Sequence, residues 1–287
     1  PTINLSNTTG FGVDPLSGTD SPIIIVFSAN DPDNVNQING TSGGRVIVNL
    51  TLGTPDIAQF RTQTSCTNTT EGSGGSGRVI FNCTVNMRYY DNNSAAWVIN
   101  ITIVDSNGGT GRNASKGATP HVFTYNNLAA FSLIAKNVNE GANINFTSLN
   151  LNDQNKEAKA PLLLNNTGNN DFDQINITGA ALIGITTASE TIAASQFFVN
   201  TSNTTAGAGM PLSTSAQTLR LTSGVGLPNE TLLHGPGVSG DSVPYPAVTD
   251  FKSKGNLSLI FWVDVPDSGI SAQTYNNTWN MTVVDLS

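Results

Sequence analysis

The residues with the clearest chemistry in this chain are asparagines in Asn-x-Ser/Thr tripeptides, whose side-chain amide nitrogen is an acceptor for N-linked sugar. Seven copies carry an apolar residue in the middle: Asn49-Leu50-Thr51, Asn82-Cys83-Thr84, Asn100-Ile101-Thr102, Asn145-Phe146-Thr147, Asn176-Ile177-Thr178, Asn256-Leu257-Ser258 and Asn280-Met281-Thr282. Eleven more start at Asn4, Asn7, Asn39, Asn68, Asn92, Asn113, Asn165, Asn200, Asn203, Asn229 and Asn276, making eighteen in all. With 36 Asn and 60 Ser plus Thr in 287 residues, random placement gives roughly 7 or 8. The excess points to covalent N-glycans and to an exported, extracellular chain at the cell surface. Asn and Thr also favour exposed strand faces and turns, which is the structural reading of the same pattern.

The elements that must hold these asparagines are strands. Side chains alternate across a strand, so Asn and Thr share one face and the apolar middle residue takes the other. Val79, Phe81, Cys83, Val85, Met87 and Tyr89 alternate with Ile80, Asn82, Thr84, Asn86 and Arg88. Val46, Val48, Leu50 and Leu52 do the same, as do Trp97, Ile99, Ile101 and Ile103, and Leu257, Leu259, Phe261 and Val263. No comparable helical period appears. Strands parted by Gly, Ser, Asn and Asp predict an all-β fold: two Ig-like antiparallel β-sandwich domains in tandem. A weak repeat supports the duplication. Trp97-Val98-Ile99-Asn100-Ile101-Thr102-Ile103-Val104-Asp105 is echoed by Trp279-Asn280-Met281-Thr282-Val283-Val284-Asp285. The expected boundaries are 1–112 and 113–287, with 106–119 as the linker and a long proline-bearing loop at 223–255.

Composition excludes several functions. Charged residues are 11% and the net charge is −8. That gives no basic patch for nucleic acid and a naked surface poor in solubilising charge, which glycans would hydrate. No apolar run is long enough to span a bilayer. The chain begins at Pro1 without a signal peptide, which reads as a processed mature form. Two cysteines, Cys66 and Cys83, predict one disulfide in an exported protein.

Chemistry beyond sugar acceptance is sparse. With two His and no nucleophile-elbow, phosphate-loop or zinc-protease motif, the chain is read as not an enzyme. Asp264 and Asp267 suit a turn as well as paired glycosidase carboxylates. Asp31, Asp33, Asn34 and Asn36 crowd the end of a strand, and Asn169, Asn170, Asp171 and Asp173 form a second cluster. Oxygens at such spacing suit Ca²⁺, and the same residues are ordinary turn formers. No other cofactor is implied. Trp97 and Trp279 fall on apolar faces. Trp262 falls opposite Leu259 and Phe261, either as a contact residue or as one covered by the 223–255 loop.

The blocks Cys66…Asn82-Cys83-Thr84-Val85-Asn86-Met87-Arg88-Tyr89-Tyr90-Asp91 and Phe261-Trp262-Val263-Asp264-Val265-Pro266 resemble the repeated β-sandwich modules of archaeal secreted surface glycoproteins. So do Asn166-Thr167-Gly168-Asn169 and Ala272-Gln273-Thr274-Tyr275. The resemblance implies a heavily glycosylated subunit of a surface layer or extracellular filament, with copies of itself as partners in a homopolymer. The rival expectation is a glycan-binding adhesin or carbohydrate-binding module. Subunit contacts are expected at Tyr245 and Phe251 of the long loop, and at Ile3, Leu5, Phe11 and Val13. These last four occupy odd positions, as a strand with one buried face requires. Such a strand can pair with a neighbouring subunit's sheet edge or with its own subunit.

Overall fold

The computed structural model describes residues 1–5, 11–38, 45–52, 59–71, 77–113, 115–116, 119–135, 142–170, 174–201, 209–220 and 256–284. These are almost wholly strand and turn, and the only helical pieces among them are short 3₁₀ turns at Val35–Gln37 and Ala194–Gln196. The described residues up to Leu128 form one unit and those from Ala129 onward a second.

In the first unit the strands are β1 (Thr2–Leu5), β2 (Gly12–Val13), β3 (Ser21–Asn30), β4 (Arg45–Leu52), β5 (Gln59–Gln63), β6 (Thr67–Glu71), β7 (Arg78–Met87), β8 (Ser94–Val104), β9 (Thr110–Asn113), β10 (Ser115–Lys116), β11 (Thr119–Pro120) and β12 (Val122–Tyr125). One sheet runs β1-β3-β7-β6 and the other β2-β12-β8-β4-β5, with β9 also paired to β8. Both sheets point their apolar sets into one core. Ile23, Ile25, Phe27, Phe81, Cys83 and Val85 come from the first, and Val48, Leu50, Trp97, Ile99 and Phe123 from the second. Each such fully buried side chain contributes about 1.5–3 kcal/mol. Phe27 stacks on Phe81 at 5.1 Å, and Trp97 on Phe123 at 6.1 Å.

The unit reaches Leu128 rather than stopping at Arg112. The 106–119 stretch is not a linker, because β9 pairs with β8 and β10 pairs with β11. Strand β12 then returns to β8, with Phe123 opposite Trp97. Gly and Asn composition suggested a loop, but edge strands need few apolar residues of their own.

A buried polar cluster closes one end of this core. Asp91 is fully buried and Arg61 is 7% exposed. Asp91 accepts from Arg61 Nε at 3.0 Å, from Arg61 Nη2, and from the Arg88 backbone N–H at 2.8 Å. Burial pushes the Asp91 carboxyl up, and the Arg61 guanidinium opposes it. Tyr125 donates its hydroxyl to the Arg88 carbonyl at 3.0 Å, and burial raises that phenol to about 12.

The second unit comprises β13 (Phe131–Ala135), β14 (Lys156–Glu157), β15 (Leu162–Asn166), β16 (Gln174–Thr178), β17 (Leu182–Gly184), β18 (Thr191–Ile192), β19 (Phe197–Asn200), β20 (Met210–Pro211), β21 (Gln217–Arg220), β22 (Asn256–Val263), β23 (Tyr275–Asn276) and β24 (Asn280–Val283). Its main sheet runs β13-β15-β22-β19-β20, with β14 also on β22, and two small sheets run β21-β16-β24 and β18-β17-β23. The core gathers Leu162, Leu164, Ile175, Ile177, Phe197, Val199, Leu259, Phe261 and Val263, with Trp279 packed against it. Trp262 is 2% exposed, and Ile260 on the same face is also buried, so β22 is buried on both faces from Leu259 to Val263. An exposed contact role for Trp262 is thereby excluded. Of the two expectations for this residue, contact or coverage, burial is the outcome; a strand covered on both faces gives no alternation from which to read it.

Glycan acceptors and an open sheet edge

The Asn-x-Thr tripeptides sit on the strands that the apolar alternation demands. In β4, β8 and β16 the middle residues Leu50, Ile101 and Ile177 are buried, and Asn49, Asn100 and Asn176 take the opposite face. Asn82 and Thr84 are exposed on β7, with Cys83 buried between them. Asn280 and Thr282 are exposed on β24. Asn4, Asn68 and Asn276 are exposed as well, and Asn92, Asn113, Asn145, Asn165 and Asn200 are partly covered. Asn165 has a tripeptide hydroxyl, Thr167, that is 7% exposed, and Asn113 donates its amide to the Ile3 carbonyl at 3.0 Å. Backbone pairing sets Asn256 opposite Asn165. Asn7, Asn39, Asn203 and Asn229 lie outside the described residues.

Two acceptor asparagines are gripped in the same way. On β4, Asn49 Oδ1 accepts from the Thr62 hydroxyl of β5 at 2.8 Å. On β16, Asn176 Oδ1 accepts from the Thr218 hydroxyl of β21 at 2.6 Å. Each bond engages the amide oxygen and restricts the side chain's direction.

The disulfide is where the sequence predicted it. Cys66 and Cys83 are bonded with Cα atoms 4.4 Å apart. Cys66 leads into β6, which pairs with β7, so the bridge staples neighbouring strands.

The expected N-terminal contact residues have partners inside their own unit. Strand β1 lies antiparallel on β3, with Leu5 opposite Phe27. Strand β2 lies parallel on β12. Leu5 is buried, and Ile3, Phe11 and Val13 pack against the same core. The single chain satisfies these side chains without a neighbour, because β3 and β12 present free edges nearby. Tyr245 and Phe251, with the 223–255 loop, lie outside the described residues.

The Asp31 cluster is built as a turn. Asp31 Oδ1 accepts from the Asp33 N–H at 3.0 Å, and Asn34 Oδ1 caps the 3₁₀ turn through the Asn36 N–H at 3.0 Å. These bonds use two of the oxygens read as Ca²⁺ ligands. Asp31 Oδ2 and Gln37 Oε1 remain buried with no donor among the described residues. No group of three His, Cys, Asp or Glu side chains poised for a metal occurs among those residues. In the second cluster Asn170 accepts through its carbonyl from the Asn166 amide at 2.9 Å, and Asp171 and Asp173 lie outside the described residues.

Sequence reasoning did not single out β24, which has one pairing partner among the described residues. The repeat makes β24 the counterpart of β8. Strand β8 pairs with β4 on one side and with β9 and β12 on the other. Strand β24 pairs with β16 alone among the described residues. A groove of about 550 Å³ runs past this edge, with Leu133, Ile144, Phe146, Leu182, Tyr275, Trp279 and Met281 among its apolar lining. Asn143, Asn277 and Asn280 line the same groove. The tyrosine is held by its own network: Glu190 accepts from the Tyr275 hydroxyl at 2.8 Å, from Ser271 Oγ and N at 2.7 Å, and from Gln273 Nε2 at 2.6 Å.

Comparison with models of known protein families gave no match. Comparison with curated protein sequences likewise gave none. No helix among the described residues is long and apolar enough to cross a membrane.

Proposed function

We propose that the chain is a self-assembling, N-glycosylated structural subunit of an extracellular filament or surface lattice, in which a strand from one copy is added to the β24 edge of the next. The open edge beside an apolar groove carries the reading. Added strands gain affinity from backbone hydrogen bonds and specificity from alternate side chains that fill pockets. The donor is the N-terminal strand. It is four residues long, holds one neighbour in its sheet, and has Ile3 and Leu5 on one face. In a lone chain it folds back onto β3, and in the assembly it exchanges. Outward acceptor asparagines and the disulfide support an extracellular setting, and dense glycans would keep a surface with 11% charged residues hydrated. The mechanism is polymerisation, and no catalytic step is assigned.

The groove also favours a second reading. Tyr275 and Trp279 beside several Asn amides are groups that bind sugar rings, which fits a glycan-binding adhesin or carbohydrate-binding module. Electron microscopy of native protein, with Trp279→Ala and a deletion of residues 1–5, separates the two. Ordered polymers lost in both variants are expected. Dispersed monomers that bind oligosaccharide, lose that binding with Trp279→Ala and keep it in the deletion would overturn the assembly reading.

A further inference from the structure

Resting on the reading of this chain as a glycoprotein, we infer that Asn49 and Asn100 form one modification site that carries a single glycan, on Asn49. The two asparagines are direct cross-strand partners on β4 and β8. Both point to the outer face, because Leu50 and Ile101 beside them are buried. Directly opposed residues hold their Cα atoms about 4.5–5.5 Å apart. Neighbouring strands are only about 4.8 Å apart, so a sugar ring standing on one asparagine occupies the space over the other.

The hydrogen bonds decide which asparagine is modified. Glycosylation transfers the anomeric carbon of a glycosyl phosphate or pyrophosphate donor to the amide nitrogen. The N–C bond forms, the C–O bond to phosphate breaks, and one amide proton leaves to a base. The amide that is not held by a hydrogen bond through its nitrogen is the one that reacts first. Asn100 donates one of its two amide hydrogens to Thr51 Oγ1 at 3.0 Å, which makes it the slower acceptor but leaves it competent when Asn49 is absent. Among the described residues Asn49 is held through its oxygen, by the Thr62 hydroxyl at 2.8 Å.

The second unit supplies an internal control. Asn176 takes the position of Asn49 and its oxygen accepts from Thr218. Opposite Asn176, however, stands Thr282, and opposite Thr178 stands Asn280. The two acceptors there are diagonal rather than opposed, about 7–8 Å apart. Both can carry sugar at once.

Intact-mass analysis and glycopeptide mapping of the native protein test this, together with Asn49→Gln and Asn100→Gln variants made in the same host. The expected result is sugar on Asn49, none on Asn100, and sugar on both Asn176 and Asn280 of one molecule. Asn49→Gln should raise Asn100 occupancy at least several-fold, and Asn100→Gln should leave Asn49 occupied. Sugar on both Asn49 and Asn100 of one molecule would overturn the inference. So would a bare Asn100 in Asn49→Gln, or a bare pair on a chain glycosylated elsewhere. A chain with no sugar anywhere would overturn the glycoprotein reading together with the inference.

Discussion

Replacing Arg61 by Met should unlock the first unit while leaving the second intact. Asp91 is fully buried and accepts hydrogen bonds from Arg61 Nε and Nη2 and from the Arg88 backbone N–H. Methionine fills part of the space but strips this buried carboxylate of its guanidinium. Removing one partner of a buried ion pair costs about 3–5 kcal/mol, because the survivor is uncompensated. A domain's whole stability is about 5–15 kcal/mol, so much of the first unit's margin would go. Native-state hydrogen exchange reads this unit by unit. At about 1.4 kcal/mol per factor of ten, β4 and β8 amides that exchange through global opening should speed up by about 10²–10⁴. Amides of β16 and β22 should not change, since both strands belong to the second unit. Adding Asp91→Asn should restore part of the loss, because the carboxamide oxygen still accepts from Arg88 and no buried charge remains. A cost below about 1 kcal/mol, or a double variant less stable than the single, would refute the assignment of this pair as a buried, mutually dependent one.

Three other outcomes are expected. The Ser271 hydroxyl and the Tyr275 hydroxyl, then the Ser271 N–H and the Gln273 amide, hold the Glu190 carboxyl below its ordinary 4.5. A depressed carboxyl contributes stability above its ordinary value that is lost as pH falls through the folded one. Amides of β17 and β23 should therefore lose protection in acid below about pH 4.5, and Glu190→Gln should flatten that dependence. Reduction of Cys66–Cys83, whose sequence separation is 17, should cost about 3 kcal/mol, read as a lower melting temperature that a Cys66→Ser/Cys83→Ala variant reproduces without reductant. A Cβ on Gly111 would lie 2.3 Å from the Pro1 carbonyl oxygen. Gly111→Ala should accordingly push β1 off its own unit, raise exchange at Ile3 and Asn4, and increase the polymerised fraction seen by microscopy; unchanged β1 protection would sink the idea that this close approach helps hold the donor strand at home.

Period-two alternation was enough to locate the buried faces of β4, β7 and β8, because each lies in a sheet with one face on the core and one in solvent. The same pattern predicted which side of the strand Asn49, Asn82 and Asn100 would take. The Cys66–Cys83 pairing was legible too, as two cysteines leave one intramolecular choice. Local pattern failed where partners come from far along the chain. Whether Ile3 and Leu5 meet a neighbour or their own β3 depends on which sheet edge is free. The burial of Trp262 depends on what covers a second face. The opposition of Asn49 to Asn100 is a matter of register between strands about fifty residues apart in sequence. Alternation is a local property of backbone geometry and survives in one dimension. Register, edge occupancy and the direction of each Asn amide are set by pairing between distant segments, so they exist only once the sheets have assembled.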